Sequence, residues 1–209
     1  MDKLTNQRLL NMPTSYLPIG QGFFLKFSSI EIVDMMSCCL GATSFDELSS
    51  LHNLTHLFIR VDSSSIFNRD HTWMERLKRF CIEVGDTSNA IPTNKSTKMI
   101  IVSHCETFSN GELSGMLQFA SHLYLENCGG LRKLVVNKKS TFIGLKSLRI
   151  YNCCCDFGAV EEGISGQIDP LPNLEYLSFF WVDHLKSVSD FVGSVPKQLE
   201  EITIHQCVL

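Results

Sequence analysis

Cysteine and histidine are the residues best equipped for chemistry in this 209-residue chain, which holds nine of the first and seven of the second. Thiolates and imidazoles chelate a metal when short spacings let one loop offer two ligands to the same ion. No Cys-x-x-Cys occurs, and the runs Cys38-Cys39 and Cys153-Cys154-Cys155 are adjacent rather than chelating. His52 and His56 are four apart but straddle the start of an expected strand, where that spacing does not converge on an ion. Glu161-Glu162 lies in the glycine-rich stretch from Gly158 to Gly166, which reads as a solvated loop. The chain contains no G-x-x-x-x-G-K-[ST], no G-x-S-x-G and no H-E-x-x-H. Nothing assembles a nucleophile, a base and an oxyanion donor. The expectation is a binding or scaffolding surface rather than an enzyme, with no catalytic residue, no cofactor and no metal.

What, then, positions the cysteines? Leu145-Lys-Ser-Leu148-Arg-Ile150-Tyr-Asn-Cys153 and Leu199-Glu-Glu-Ile202-Thr-Ile204-His-Gln-Cys207 both fit L-x-x-L-x-L-x-x-N/C. Ala120-Ser-His-Leu123-Tyr-Leu125-Glu-Asn-Cys128 fits with a small first residue. Weaker copies bring the motif starts to residues 7, 30, 54, 77, 97, 120, 145, 174 and 199, with spacings from 20 to 29. The fourth and sixth positions are apolar in all nine copies. Strand side chains alternate with period 2, so these two positions share one face and point into a core. Three residues before each motif stands another apolar column: Leu4, Phe27, Leu51, Met74, Leu117, Phe142 and Leu171, broken by Asn94 and Pro196. It closes the core from the returning side of each coil. The ninth position is cysteine in five copies, Cys38, Cys105, Cys128, Cys153 and Cys207. A small side chain with a weak S–H donor suits burial beside the carbonyls of a turn, so these read as structural, reduced thiols.

The fold class expected is therefore α/β: a leucine-rich-repeat solenoid (horseshoe) of about nine irregular repeats. Short parallel strands line its concave face, with mostly loops and short helical turns on its convex face. The two widest coils, Leu145–Asn173 and Leu174–Gln198, have room for a helical turn. Residues 1–209 read as a single repeat domain. Neither end shows a polar capping unit, so a fragment of a larger receptor is expected.

Composition narrows the partners. The chain is 44% hydrophobic and 19% charged, with a formal net charge of −4, which argues against bulk nucleic-acid binding. Basic residues cluster between Gly129 and Cys155 (Arg132, Lys133, Lys138, Lys139, Lys146, Arg149), and the stretch from Asp156 to Glu201 is acidic. The first eight residues show no apolar leader, and no apolar run approaches the roughly 18 residues needed to span a bilayer. A cytoplasmic protein without membrane or nucleic-acid contacts is expected, its Asn53 and Asn94 sequons unmodified.

Longer stretches carry a family signature. These are Leu4-Thr-Asn-x-x-x-Leu10-Asn11-Met12, Leu17-Pro18-Ile19-Gly20 and Phe27-Ser-Ser-Ile30-Glu31-Ile-Val33-Asp34-Met35. Phe45-Asp46-Glu47-Leu48-x-x-Leu51-x-Asn53-Leu54-Thr55-x-Leu57-x-Ile59 and Trp73-x-x-Arg76-Leu77-Lys78-Arg79-Phe80 extend it. The pattern resembles the leucine-rich-repeat region of plant coiled-coil, nucleotide-binding, leucine-rich-repeat (NBS-LRR) disease resistance proteins. The resemblance implies repeats that sense a pathogen effector or a modified host protein. It also implies that they restrain a neighbouring nucleotide-binding domain, which is not in this sequence. The competing reading is the substrate-recognition repeats of an F-box type ubiquitin-ligase adaptor, which call for more even spacing.

Positions 5 and 7 of each copy point away from the core and should form two continuous strips on the concave face. From these strips and the adjacent Trp181, the expected protein-binding residues are Phe58, Arg60, Ile101, Tyr124, Glu126, Arg149, Tyr151, Phe180 and Trp181. Exposed aromatic rings with an arginine among them have the composition of a binding hot spot.

Overall fold

The computed structural model describes residues 6–12, 19–61, 66, 69–85, 95, 97–105, 114–129, 131, 142–154, 171–185, 187–188 and 196–207. Each of the nine motif copies contributes a strand: β1 (Leu9–Asn11), β2 (Ile32–Leu40), β3 (His56–Val61), β4 (Arg79–Val84), β5 (Lys98–Ser103), β6 (His122–Glu126), β7 (Ser147–Tyr151), β8 (Tyr176–Phe180) and β9 (Glu201–His205). Two compact units divide inside β5: Met1–Ile101 and Val102–Leu209. Within each unit the strands stack in chain order.

In the first unit, β1 to β4 form parallel ladders in motif register: Val33 lies beside Leu10 and Leu57, and Ile59 beside Ile82. Val33, Met35, Leu57, Ile59, Phe80, Ile82 and Ile100 are fully buried on one face. Burial of such side chains contributes about 1.5–3 kcal/mol each. The same hydrogen bonds recur from coil to coil. The carbonyl at the second motif position accepts two N–H groups of the next coil: Arg8 from Glu31 and Ile32, Glu31 from Thr55 and His56, Thr55 from Lys78 and Arg79. β2 departs from the pattern. It does not end at Cys38; its register against β3 shifts between Met35 and Cys39, and the strand runs on to Leu40. Helical segments are short: α1 (Ala42–Glu47) and single 3-10 turns at Phe24–Lys26, Leu48–Ser50 and Thr72–Arg76.

In the second unit, β6 to β9 pair in parallel with no slip, Leu125 beside Ile150 and Ile150 beside Phe179. Val102, Leu123, Leu125, Leu148, Ile150, Leu177 and Phe179 form its core face. On β9 the same columns open to solvent, with Ile202 44% and Ile204 53% exposed. The shared acceptor reappears: Ser121, Lys146 and Glu175 each take two N–H groups from the following coil. α2 (Ser114–Leu117) is one turn long. In the two coils widest in sequence, residues 155–170, 186 and 189–195 lie outside those described.

The returning column closes the core in both units. Phe27, Leu51, Met74, Leu117, Phe142 and Leu171 are all buried. Leu51, Met74, Leu117, Phe142 and Leu171 each accept the N–H of the residue three later, which turns the chain into its strand. Pro196, expected to break this column, continues it. Its ring is buried and its carbonyl accepts the Leu199 N–H. The turn asks only for an acceptor and an apolar side chain there, and proline supplies both. Leu4 and Asn94 lie outside the described residues.

Among the described residues of the first unit, the His71 ring and Arg76 Nε are buried polar groups without a well-formed partner. His71 is 3% exposed, packs 6.0 Å from the Phe45 ring, and neither ring nitrogen makes a hydrogen bond of normal geometry among the described residues. Burial lowers its pKa, outweighing smaller raising contributions from the Ile66 backbone, Asp70 and Asp46. His56 and His122 shift the same way, also mainly through burial. An unfolded histidine titrates near 6.5, about where a free imidazole does. Below that pH the unfolded chain takes up protons that these folded sites resist, so stability is present above it and falls as the pH drops. The unfolding midpoint in urea should therefore decrease between pH 7 and pH 5, and His71→Phe should flatten that decline. An equal decline in the variant would remove His71 from the account.

Candidate protein-binding face

The sheet face opposite the core does not present the uniform strips that alternation suggests. In the first unit, Phe58 is 6% exposed and Ile101 fully buried, so neither belongs to an open surface as expected from the sequence. Lys95, from the segment before β5, lies across Phe58 with its ammonium 5.3 Å from the ring centroid and forms an ion pair with Asp34. A cation held over an aromatic ring and anchored to a carboxylate closes this part of the face. Arg60 is half-buried and committed within the unit, its Nε donating to Glu83 Oε2 at 2.8 Å. Cys81, between Phe58 and Glu83 in the strand grid, has its thiol pushed up to about 12, chiefly by burial. A thiol that stays protonated is a packing group, not a nucleophile.

In the second unit, Glu126 is likewise buried rather than exposed, and Ser103 Oγ donates to its Oε2 at 3.3 Å. The remaining expected residues come together. Tyr124 stacks on Tyr151 with ring centroids 6.3 Å apart; Tyr151 lies 6.5 Å from Phe180 and meets the edge of Trp181 at 4.8 Å. The line continues to His205, 6.0 Å from Phe180 and 6.5 Å from Trp181. Such ring pairs contribute about 0.5–1.5 kcal/mol beyond the area they bury. Tyr124, Tyr151 and Phe180 are half-buried, while Trp181, Arg149 and His205 are exposed. Burial raises the Tyr124 phenol above its ordinary pKa, so it stays a neutral hydrogen-bonding group. Arg149, the Cα partner of Tyr124 in the ladder, makes no ion pair among the described residues.

The backbone beside this strip has a conformation that no hydrophobic pattern reveals. His104, Asn127, Asn152, Trp181 and Gln206 occupy the eighth position of successive copies, and all have φ between 48° and 55°. This is the left-handed region, where asparagine is at home and a bulky side chain is strained. There the strand ends and the position-8 N–H reaches the next coil: Asn127 N to Tyr151 O at 3.1 Å, Asn152 N to Phe180 O at 2.8 Å, Trp181 N to His205 O at 3.0 Å. Their side chains also meet. Asn127 lies 3.2 Å from His104 Nε2, Asn152 donates to Asn127, and the Trp181 indole N–H donates to Gln206. The pair Asn127 and Asn152 is the one sequence signal that could have marked this column.

Under the strip sit the cysteines of the ninth position. Cys128 Sγ lies 3.4 Å from Val102 O and 3.3 Å from Glu126 O; Cys153 Sγ lies 3.7 Å from Leu125 O and 3.2 Å from Tyr151 O. The Cys128 N–H points at Cys153 Sγ at 3.2 Å. The hydrogen bond with Cys153, and then burial, hold the Cys128 thiol well above its usual pKa. In the first unit the buried Cys38 lies 3.8 Å from Met12 O, but inside β2 rather than at the end of its strand.

Strand, turn and returning column repeated in this register define an α/β leucine-rich-repeat protein. Comparison with known proteins places relatives beside it. Over 207 aligned residues, 88% of this chain, it is 30% identical to a disease resistance protein of Arabidopsis thaliana. Over 200 residues, again 88% of the chain, it is 26% identical to a second Arabidopsis protein, named a probable disease resistance protein. The chain is thus homologous to plant disease resistance proteins, and it spans 21% of the length of each of these two relatives. No family model matches the chain, and no solved structure matches it significantly.

Proposed function

We propose that this chain is the protein-binding repeat module of a plant defence receptor of the NBS-LRR kind. It works in the cytoplasm and carries out no reaction of its own. Its strip from Tyr124 to Trp181 contacts a pathogen effector, a modified host protein or the nucleotide-binding domain of the parent protein, and through the last contact restrains it. Homology to disease resistance proteins supports the setting. The observation that carries the surface is Trp181. It is 43% exposed and stands at φ 51°, where the two preceding coils place asparagine. A non-glycine residue in this region costs on the order of 1–3 kcal/mol. Its contacts with Tyr151 and Gln206 leave part of the indole in solvent, and we read that exposed part as the surface a partner covers.

The experiment compares two variants in the full-length receptor, with protein level as control. Tyr124, Tyr151 and Trp181 all changed to alanine should abolish recognition, release resting-state restraint, or do both. Trp181→Asn should impair the same readouts while changing stability by no more than about 1 kcal/mol. Relief of backbone strain and loss of the Tyr151 contact are of similar size and opposite sign. Normal recognition and normal restraint in the triple variant, at normal protein level, would exclude the strip.

A further inference from the structure

We infer that the second unit's strip takes an extended segment of its partner, laid across β6 to β9, with apolar side chains at alternate positions and an acidic residue for Arg149. The inference rests on the protein-binding reading above and specifies its occupant. Three observations point to this chemistry. The first is spacing. The line Tyr124, Tyr151, Phe180, His205 crosses four strands with successive ring centroids 6.3, 6.5 and 6.0 Å apart. Same-side residues of an extended chain repeat about every 6.7 Å, and one turn of α-helix rises about 5.4 Å. The ring line lies on average nearer the extended repeat, so alternate side chains of such a segment can stay in step with the rings.

The second is the hydrogen-bonding border. Asn127, Asn152 and Gln206 stand beside the rings in the left-handed column, joined to one another or to Trp181 through part of their amide capacity. A primary amide carries two donors and a two-lone-pair acceptor, so each keeps hydrogen bonds to give. An extended backbone has N–H and C=O groups to receive them, whereas a helix has spent its own internally. The third is charge. Arg149 is exposed within the strip, and no described acid pairs with it. A guanidinium among half-buried rings favours a carboxylate that can accept from its fork.

The test uses a library of random twelve-residue peptides displayed on phage, selected against the chain and counter-selected against its Tyr151→Ala variant. Enriched peptides should carry apolar residues at i, i+2 and i+4 with one Asp or Glu nearby. A synthetic representative should lose at least tenfold in affinity against Trp181→Asn or Arg149→Gln, read by fluorescence polarisation. Circular dichroism of the two variants should match the parent chain, which separates lost contacts from lost folding. Enrichment of peptides with apolar residues at i, i+3 and i+7 would replace the extended occupant by a helix. No enrichment, or binding indifferent to Tyr151, would overturn the inference. Either of these, with the receptor variants still impaired, would leave the broader reading standing with a folded partner.

Discussion

Phe179→Ala is expected to lower the unfolding free energy of the second unit by about 3–5 kcal/mol. Phe179 is fully buried on β8, beside Ile150 in the ladder, and the sixth-position column around it has no exposed neighbour until β9. Truncation removes an aromatic ring from the middle of a stack that cannot collapse inward, because each coil is pinned to the next by its strand hydrogen bonds. The control is Ile204→Ala, in the same column but 53% exposed, expected to cost about 0.5 kcal/mol or less. Urea denaturation of both variants checks the pair. Similar losses at the two sites would mean that the column is not the core.

Arg60→Leu is expected to destabilise the first unit by about 2–4 kcal/mol, somewhat below the figure for a fully buried pair. Glu83 is 5% exposed, and the guanidinium of Arg60 donates to it at 2.8 Å. Without that partner its carboxylate is held out of water with an unmatched charge. The arginine side chain is 36% exposed, and water reaching the gap moderates the cost. Glu83→Leu placed on top of Arg60→Leu should recover most of the loss, because the penalty resides in the stranded charge and not in missing contact area. Additive destabilisation in that double-mutant cycle would contradict this.

The strand columns were legible in the sequence because period-2 alternation and the repeat spacing act locally and reinforce one another. Leu57, Ile82, Leu125 and Ile150 are buried as the motif requires, and the turn-facing thiols of Cys128 and Cys153 follow from the same register. The opposite sheet face was harder to read. Alternation places Phe58 and Ile101 outward, but outward is not exposed. Lys95, tens of residues from Asp34 and Phe58 along the chain, lies across them, and no local pattern encodes that meeting. Glu126 looked like a surface carboxylate and is instead buried beside Ser103. The left-handed column was half-legible. Asn127 and Asn152 favour that conformation on their own, whereas His104 and Trp181 adopt it because the coil's hydrogen bonds demand it. The slip in β2 left no sign in residue type at all.

The shared carbonyl at the second motif position has an evolutionary corollary. At six joins the new coil takes its alignment from a single acceptor on the coil before it (Arg8, Glu31, Thr55, Ser121, Lys146 and Glu175), and the closing turn needs only an apolar residue and a carbonyl three residues ahead of the motif. Whatever lies between is unconstrained by either bond, which is how motif starts 20 to 29 residues apart coexist with ladders in register. Whole coils can therefore be duplicated, deleted or exchanged between genes as interchangeable quanta. Each event would slide the surface residues one row without scrambling them, so that new combinations of surface side chains arise by recombination and need no new fold.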